Sequence, residues 1–289
     1  MILCGSSMSF MEYQALIYGI TGGIPHYINK LGVRDNIDNA LLENLFDSSS
    51  YLFEEPENLL KQELREPATY NSIISAIAGG SSKLNEIATK TGTETGVCAK
   101  YLKVLLDLGI VKKEMPVTEK STKKTIYQLG DNFFRFWYRF VPMNMTAIIS
   151  GRIGKSYPNT VKKYFSDYMG LVSEQMCRDY LLYYADNLPV TLADTGQWWG
   201  TDNAAKKEVQ IDIVGTSADS NEYIIGSCKY KNEKIGVDEF ELLKHYATVF
   251  GKGSLYHFYI FSKGGFTDGL HELGEKGEVK LLTLEDIYR

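Results

Sequence analysis

The chain has 289 residues, of which 44% are hydrophobic and 23% charged, a composition typical of a globular protein with two or three domains. No apolar run approaches the roughly 18 to 20 residues of a membrane-spanning helix, and the start lacks the basic and apolar regions of a secretory signal. The four cysteines form no C-x-x-C pair, which argues against a disulfide scaffold or a zinc site. We therefore expect a cytoplasmic protein without a membrane partner.

Charge is distributed unevenly along the chain. The net charge of −5 combines −6 over residues 1–60, +9 over residues 61–163 and −8 over residues 164–289. A basic segment between two acidic ones is typical of a module that meets polyanions, nucleic acid first among them. A solvated basic face without a ligand produces the same pattern, so charge alone leaves both interpretations open.

Residues 13–64 are predicted to be helical. Apolar residues recur at one-turn spacing over 41–60, and the Gly-Gly-Ile-Pro run at 22–25 ends one helix and starts the next. Helix packing, rather than cofactor binding, is the expected role of this apolar stripe.

Residues 65–130 follow a different pattern. Three helices and two strands are predicted, at 70–78, 84–90, 94–108, 110–114 and 125–129. Ser82 is the expected cap of the second helix. Three helices with a short glycine turn, followed by a basic hairpin, predict a winged helix-turn-helix. The predicted nucleic-acid contacts are Thr93, Thr95, Lys100 and Lys103 of the third helix, and Lys120, Lys123 and Lys124 of the wing. A winged helix that contacts a protein instead is the alternative.

Residues 131–163 are predicted to form a helical connector that is dense in aromatic residues. Aromatic side chains interleaved with Arg135 and Arg139 can stack on bases. A run this dense is more typical of a core helix that joins two domains, which is the interpretation we favour. The aromatic residues are Phe133, Phe134, Phe136, Trp137, Tyr138 and Phe140.

The segment 164–289 is predicted to be an α/β domain, with a sheet flanked by helices. A long amphipathic helix comes first, and two strands joined by a polar turn follow it. The predicted helices lie at 164–186 and 237–250, and the predicted strands at 208–216, 222–230, 255–262 and 279–282. The whole chain is therefore expected to be α/β in class, and α+β overall.

Alternating polar side chains define a candidate site on two neighbouring strands. The period of two puts Glu208, Gln210 and Asp212 on one face of the first strand, and Ser227 and Lys229 on one face of the second. A hairpin brings the two faces together, so Asp212 is expected near Lys229. An Asp on one strand, followed about 15 residues later by acid-x-Lys on the next, suits metal-dependent phosphodiester cleavage with Mg²⁺ on the carboxylates.

These residues resemble the restriction-endonuclease-like PD-(D/E)XK fold, through Glu174, Asp212 and the Ser227-Cys228-Lys229 sequence. More closely, four stretches resemble the C-terminal region of the archaeal-type ATPases, the prokaryotic DEXX-box ATP-binding proteins with a DUF234 domain. The stretches are GGIPHY at 22–27, YMG at 168–170 through Glu174, WWG at 198–200, and IDIV at 211–214 with GSCK at 226–229.

The resemblance implies a specific organisation and a specific site. A helical lid is expected at 13–64, a winged helix at 65–130, a helical connector at 131–163 and a nuclease-like domain at 164–289. The resemblance also implies that Glu174, Asp212 and Lys229 are catalytic, and that Asp212 and Glu174 hold Mg²⁺ if the site is active.

Two departures from the family bear on function. Ser227 stands where the family commonly has Glu, and a serine hydroxyl is a poor Mg²⁺ ligand, so the site is expected to be impaired unless Glu208 replaces the missing acid. The nearest phosphate-loop match, at 149–156, begins with Ile instead of Gly, so we expect no ATP binding. Residues 1–12 resemble only a late sensor strand of the ATPase domain, so we expect a fragment that lacks its P-loop domain.

Three functions remain open at this point. The first is the DNA-binding and regulatory C-terminal region of an AAA/STAND-like ATPase-family protein, with an impaired nuclease-like domain. The second is a Mg²⁺-dependent DNA endonuclease, and the third is a module that binds a protein partner without nucleic acid. Salt-sensitive DNA binding would favour the first two, because phosphate contacts release counterions. Glu, Asp and Lys side chains that meet in space would favour the second over the first.

Overall fold

The computed structural model describes residues 9–34, 36–118, 124–218, 220–252 and 255–288. The helices in this part of the chain are α1 (Phe10–Thr21), α2 (Pro25–Leu31), α3 (Ile37–Asn44), α4 (Tyr51–Glu63), α5 (Pro67–Ala78), α6 (Leu84–Thr91), α7 (Thr95–Asp107), α8 (Asn132–Ile149), α9 (Ile153–Thr160), α10 (Phe165–Asp179), α11 (Val237–Phe250), α12 (Asp268–Glu275) and α13 (Leu284–Ile287). The strands are β1 (Val111–Glu114), β2 (Ile126–Leu129), β3 (Leu192–Asp202), β4 (Lys207–Ser217), β5 (Glu222–Lys229), β6 (Leu255–Ser262) and β7 (Lys280–Thr283). The predicted mixed α/β class is confirmed.

The chain divides into two compact units. Unit 1 contains Met1–Glu114 and Thr125–Phe165, and unit 2 contains Met115–Lys124 and Ser166–Arg289. The segment between β1 and β2 therefore belongs to unit 2, although both strands belong to unit 1. Across the described ranges, no helix combines the length and apolar character needed to cross a membrane.

Helix α8 packs against α1, α4, α5 and α9 within unit 1. Asp131 caps this helix by accepting a hydrogen bond from the Phe134 N–H at 2.8 Å. The indole N–H of Trp137 donates to the carbonyl of Phe53 at 2.9 Å, which ties α8 to α4. The buried aromatic residues of α8 confirm that this run is a core helix: Phe133, Phe134, Phe136, Trp137, Tyr138 and Phe140.

Helices α5, α6 and α7 and the antiparallel pair β1–β2 follow the predicted order within unit 1. Gly92, in the left-handed conformation with φ of 66°, ends α6 and leads into α7. The N–H of Tyr127 in β2 donates to the carbonyl of Ser82 at 2.7 Å. The predicted cap is wrong by one residue: Lys83 is the N-cap of α6. The Glu86 carboxylate accepts the N–H groups of Ser82 and Lys83 at 3.0 Å each, so the first-turn acid satisfies this helix end.

Unit 2 is built on a five-stranded sheet in the order β3-β4-β5-β6-β7. Strands β3, β4 and β5 are antiparallel neighbours, whereas β5, β6 and β7 are parallel. Helix α11 forms the crossover that joins β5 to β6. One face of the sheet packs against α11 and α12, including Phe240 and Leu270, and the other packs against α10, including Cys177.

The sequence pattern did not predict β3, which contains the Trp-Trp-Gly stretch. The ring of Trp198 meets that of Phe250 edge-on, with centroids 5.4 Å apart. A Cβ on Gly200 would lie 2.5 Å from the Trp198 ring, so only glycine fits beside it. Val117, from the segment between β1 and β2, donates its N–H to the carbonyl of Gln197 at 2.8 Å and adds its side chain to the core of unit 2.

Candidate active site

Asp212 lies at an irregularity of β4. The register shifts between the Gly196–Val214 pair and the Trp198–Ile211 pair, so β4 carries one extra residue opposite β3. The ladder between β4 and β5 ends at the residue after Asp212. Asp212 thus lies outside both regular ladders. Bulges are common beside active sites because they redirect a side chain and locally end strand pairing.

The Asp212 carboxylate contacts three consecutive residues of β5. Its Oδ2 accepts the Cys228 backbone N–H at 3.0 Å, and lies 3.4 Å from the Ser227 Oγ and 3.6 Å from the Lys229 Nζ. The predicted proximity of Asp212 and Lys229 is confirmed. The Cys228 side chain points to the other face of the sheet, with its Sγ 3.5 Å from the Sγ of Cys177, as strand alternation requires.

A carboxylate from a helix joins this cluster. Glu239 lies in the first turn of α11, and its Oε1 accepts a hydrogen bond from the Ser227 Oγ at 2.6 Å. The same oxygen lies 3.1 Å from the Lys229 Nζ. Burial alone would lower the pKa of Lys229, but the charges of Asp212 and Glu239 outweigh it and raise this pKa above its ordinary value. Lys229 is therefore a cation held between two carboxylates.

Glu174 on α10 lies behind this cluster. Its Oε2 accepts a hydrogen bond from the Gln197 Nε2 at 2.5 Å and lies 4.0 Å from the Nη1 of buried Arg178. Arg178 also donates Nη1 to the backbone carbonyl of Asp212 at 3.0 Å, which links α10 to the bulge. Burial first, and the charge of Asp212 second, raise the pKa of Glu174 to about 7. This carboxyl group therefore keeps its proton to a higher pH than an exposed glutamate does.

The carboxylates of the cluster suit a Mg²⁺ ion whose other ligands are water and a substrate phosphate. Carboxylate oxygens of Asp212 and Glu239 both lie within 3.4 Å of the Ser227 Oγ, so the two acids converge on one point. Mg²⁺ commonly binds one or two carboxylates and keeps its other positions for water and substrate phosphate. Within the part of the chain that the structure describes, no three His, Cys, Asp or Glu side chains gather as a preformed metal site. Glu174, the other predicted ligand, accepts a hydrogen bond from Gln197.

Glu208, the possible substitute acid, is separated from Asp212 along β4. It lies four residues before Asp212 on β4 and is exposed, and a rise of about 3.3 Å per residue separates the two by about 13 Å. The carboxylate beside Ser227 is that of Glu239. A crossover helix begins near the carboxyl end of the strand before it. Because Lys229 ends β5, this rule predicts that the first turn of the next helix lies near Lys229, and Glu239 is in that turn.

The predicted nucleic-acid residues lie apart from this cluster in the sequence. Those on α7 are exposed: Thr95, Lys100 and Lys103. Thr93 precedes α7 and is half-buried, with its hydroxyl oxygen accepting a hydrogen bond from Thr91 at 3.0 Å. Lys124 is exposed, whereas Lys120 and Lys123 lie outside the described residues.

A protein-family model matches the part of the chain that contains the cluster. The family is DUF234, described as archaea bacterial proteins of unknown function, and the match covers residues 137–240. Residues 137–240 are therefore similar to this family. This region includes both Glu174 at the back of the cluster and Glu239 at its front, so every residue of the candidate site lies inside the match.

The chain is also similar to a curated protein of unknown function. The chain is 28% identical over 276 residues to the uncharacterized protein MJECL04 of Methanocaldococcus jannaschii. The aligned part is 93% of this chain and 59% of that protein, so the chain spans about three fifths of the relative's length.

Two solved structures give weak likenesses. Protein VC1899 from Vibrio cholerae is 12% identical with a TM-score of 0.32, over 83% of this chain and 55% of that one. The O-methyltransferase NcsB1 from neocarzinostatin biosynthesis is 11% identical with a TM-score of 0.19, over 81% of this chain and 67% of that one. Likeness at these TM-scores establishes neither a shared fold nor a shared activity.

Proposed function

We propose that this chain is a DNA-binding region of an ATPase-family protein, and that unit 2 cleaves phosphodiester bonds with Mg²⁺. The observation that carries the proposal is the ion pair of Asp212 and Lys229. Their charged groups lie 3.6 Å apart on neighbouring strands, and the side chains are 17% and 27% exposed, so a phosphate has access to both. A carboxylate and a lysine so placed are the groups that metal-assisted attack on a phosphodiester requires.

Asp212 and Lys229 each have a definite task in this proposal. Mg²⁺, when bound, supplies positive charge to the phosphate oxygens and a water of lowered pKa. The Asp212 carboxylate is held by the Cys228 N–H, and its backbone by Arg178, so its position is set before substrate arrives. Lys229 stays protonated because the neighbouring acids raise its pKa, and its ammonium donates to a phosphate oxygen or to the attacking water. Glu174 is the buried third carboxyl group behind them.

DNA binding is assigned to the winged-helix-like part of unit 1. Residues 61–163 carry a net charge of +9, whereas residues 164–289, which contain the cluster, carry −8. The acidic segment repels a phosphate backbone, so affinity must come from the basic one. Thr95, Lys100 and Lys103 on α7 are exposed and suit phosphate contacts, which position DNA without reading its sequence.

A DNA-binding region with an impaired site is the second candidate. Ser227 favours it, because a hydroxyl stands where the resembling family has a carboxylate. Under this candidate the chain binds DNA with the same salt dependence but leaves it intact. The two candidates differ only in cleavage, so a single set of reactions separates them.

The experiment is a cleavage assay with Mg²⁺ or Mn²⁺ on linear, supercoiled and branched DNA. Asp212→Asn removes the central charge and keeps the side-chain shape, and Asp194→Asn, at an exposed position of β3, is the matched control. We expect cleavage by the wild type and by Asp194→Asn, and none by Asp212→Asn. Intact DNA in every reaction, with salt-sensitive binding in EDTA, selects the second candidate. Neither cleavage nor binding rejects both and points to a protein partner.

The DNA interface has its own test. The double variant Lys100→Ala/Lys103→Ala removes two exposed cations from α7, and Lys276→Ala, at an exposed position of unit 2, is the control. If both lysines contact phosphates, the slope of log affinity against log salt flattens by about 1.8, and the control leaves it unchanged. An unaltered slope in the double variant excludes α7 as the binding element.

A further inference from the structure

A cavity of about 350 Å³ lies in unit 1, where the end of α5 and the middle of α8 come together. Small-molecule sites have volumes of roughly 300 to 1,000 Å³ and walls that are mostly apolar, with a few polar groups. This cavity is therefore large enough for one ring system with one attached group. The lining residues that could bind such a ligand all belong to unit 1: Ser75, Ala78, Tyr138, Arg139, Pro142 and Tyr164.

Arg139 supplies the cavity with a cation. Its side chain is exposed, and among the residues that the structure describes its guanidinium has no hydrogen-bond or ion-pair partner. Arg135, one turn earlier on α8, instead donates hydrogen bonds to the Leu129 carbonyl and the Asn132 side chain. A guanidinium is a planar fork of N–H donors that matches a phosphate or a carboxylate. One end of a ligand in this cavity is therefore expected to be anionic.

Hydrogen-bond acceptors lie in another part of the cavity wall. Each carbonyl of an α-helix accepts the N–H of the residue four positions later, but Pro142 has no N–H, so the Tyr138 carbonyl lacks this bond. Tyr138 and Pro142 both line the cavity, and the helix places this carbonyl between them. The last carbonyls of α5, which ends at Ala78, add partial negative charge. These groups suit a ligand with N–H donors.

Tyr164 gives the cavity an aromatic surface. Its side chain is half-buried, and the Lys163 ammonium lies 5.8 Å from the centre of its ring. Nucleobases stack on such rings whatever their sequence, because every base has a π-face. An anionic group, N–H donors and a flat ring occur together in a nucleotide, and one nucleoside monophosphate is of a size that suits the cavity.

We propose that this cavity binds a nucleoside monophosphate unit, with its phosphate at Arg139, its base against Tyr164 and the N–H groups of the base toward the Tyr138 carbonyl. Binding here does not depend on the proposed cleavage in unit 2, because no residue of the Asp212 cluster lines the cavity. A free nucleotide and an unpaired nucleotide of a DNA strand carry the same groups, so both are tested.

Titration calorimetry on the full chain measures the binding of AMP, adenosine, inorganic phosphate and a trinucleotide of deoxyadenosine. Arg139→Met removes the cation, and Ser75→Trp fills the cavity from an exposed position of α5. Arg152→Met is the matched control, because it makes the same substitution at an exposed arginine of unit 1 that does not line the cavity. Thermal unfolding shows that each variant is folded.

We expect AMP to bind the wild type and Arg152→Met alike, Arg139→Met about tenfold or more weakly, and Ser75→Trp not at all. Adenosine and phosphate should each bind more weakly than AMP. A trinucleotide that binds more tightly than AMP, and is lost in Ser75→Trp, identifies a DNA strand as the source of the nucleotide, and weaker binding identifies a free nucleotide. The inference is overturned if the wild type binds neither AMP nor the trinucleotide, if folded Arg139→Met or Ser75→Trp binds AMP as the wild type does, or if phosphate alone binds as tightly as AMP.

Discussion

Replacing Glu174 by Gln should change how the stability of the protein depends on pH. The Glu174 carboxyl group is 15% exposed, and burial followed by the charge of Asp212 raises its pKa from 4.5 to about 7. Glutamine has the same shape as glutamate and keeps an oxygen that accepts the hydrogen bond from Gln197, but it carries no charge. Comparing the variant with the wild type therefore measures how much the free energy of unfolding falls when the buried Glu174 carboxyl group ionises.

The sign and size of the effect follow from the two pKa values. Between pH 4.5 and about 7 the folded state keeps the Glu174 proton and the unfolded state has lost it. The wild type therefore loses stability as the pH rises through this window, and the loss is complete above it. A difference of about 2.5 pKa units corresponds to about 3 kcal/mol. Glu174→Gln has no such loss, so relative to the wild type it should gain up to about 3 kcal/mol between pH 4 and pH 8.

Urea unfolding at half-unit pH steps, followed by circular dichroism and tryptophan fluorescence, measures this difference. Glu208→Gln is the control, because it makes the same substitution at an exposed position of the same unit. The free-energy difference between Glu174→Gln and the wild type should grow with pH and then level off, and that of the control should stay flat. Parallel curves for all three proteins would show that Glu174 ionises in the folded state as it does in the unfolded chain, and the argument from burial would be refuted.

Three further substitutions test the packing. Gly200→Ala puts a methyl group 2.5 Å from the Trp198 ring, so we expect a loss of about 1–3 kcal/mol and a shift in tryptophan fluorescence. Phe136→Ala empties a fully buried site in α8 and should cost about 3–5 kcal/mol in urea unfolding, and an intact unfolding midpoint would contradict the core assignment. Asp131→Ala removes the bond to the Phe134 N–H and should cost about 1 kcal/mol by the same measurement, with Asp131→Asn retaining most of it.

The sequence was most informative where local periodicity and burial agree. The aromatic run of α8 is buried along one stretch of helix, and alternation along β4 and β5 correctly placed Asp212 near Lys229. The start of β3 carries too little of this signal, because its Ala-Asp-Thr-Gly-Gln run at 193–197 has no apolar alternation and the strand contains two register shifts. The predicted cap of α6 is wrong by one residue, because the Glu86 carboxylate accepts hydrogen bonds from the N–H groups of both Ser82 and Lys83.

The alternation along the strands could not predict the position of Glu239, for a different reason. A period of two assigns faces within a pair of strands, but it says nothing of which helix residue packs over a strand end. The contact of Glu239 with Ser227 joins residues of a strand and of the crossover helix after it, and tertiary packing alone decides it. The sequence therefore predicted the contact between Asp212 and Lys229, but not the contact between Glu239 and Ser227.

The place of Val117 has a consequence for how this protein can be divided. A polypeptide of residues 166–289 would contain all five strands of the sheet but would lack a residue of the core that they enclose. It would also leave the Gln197 carbonyl on edge strand β3 without its partner from residue 117. The sheet domain is thus not a contiguous, exchangeable cassette: grafting it onto another protein, or replacing it, requires that the segment around Val117 travel with it.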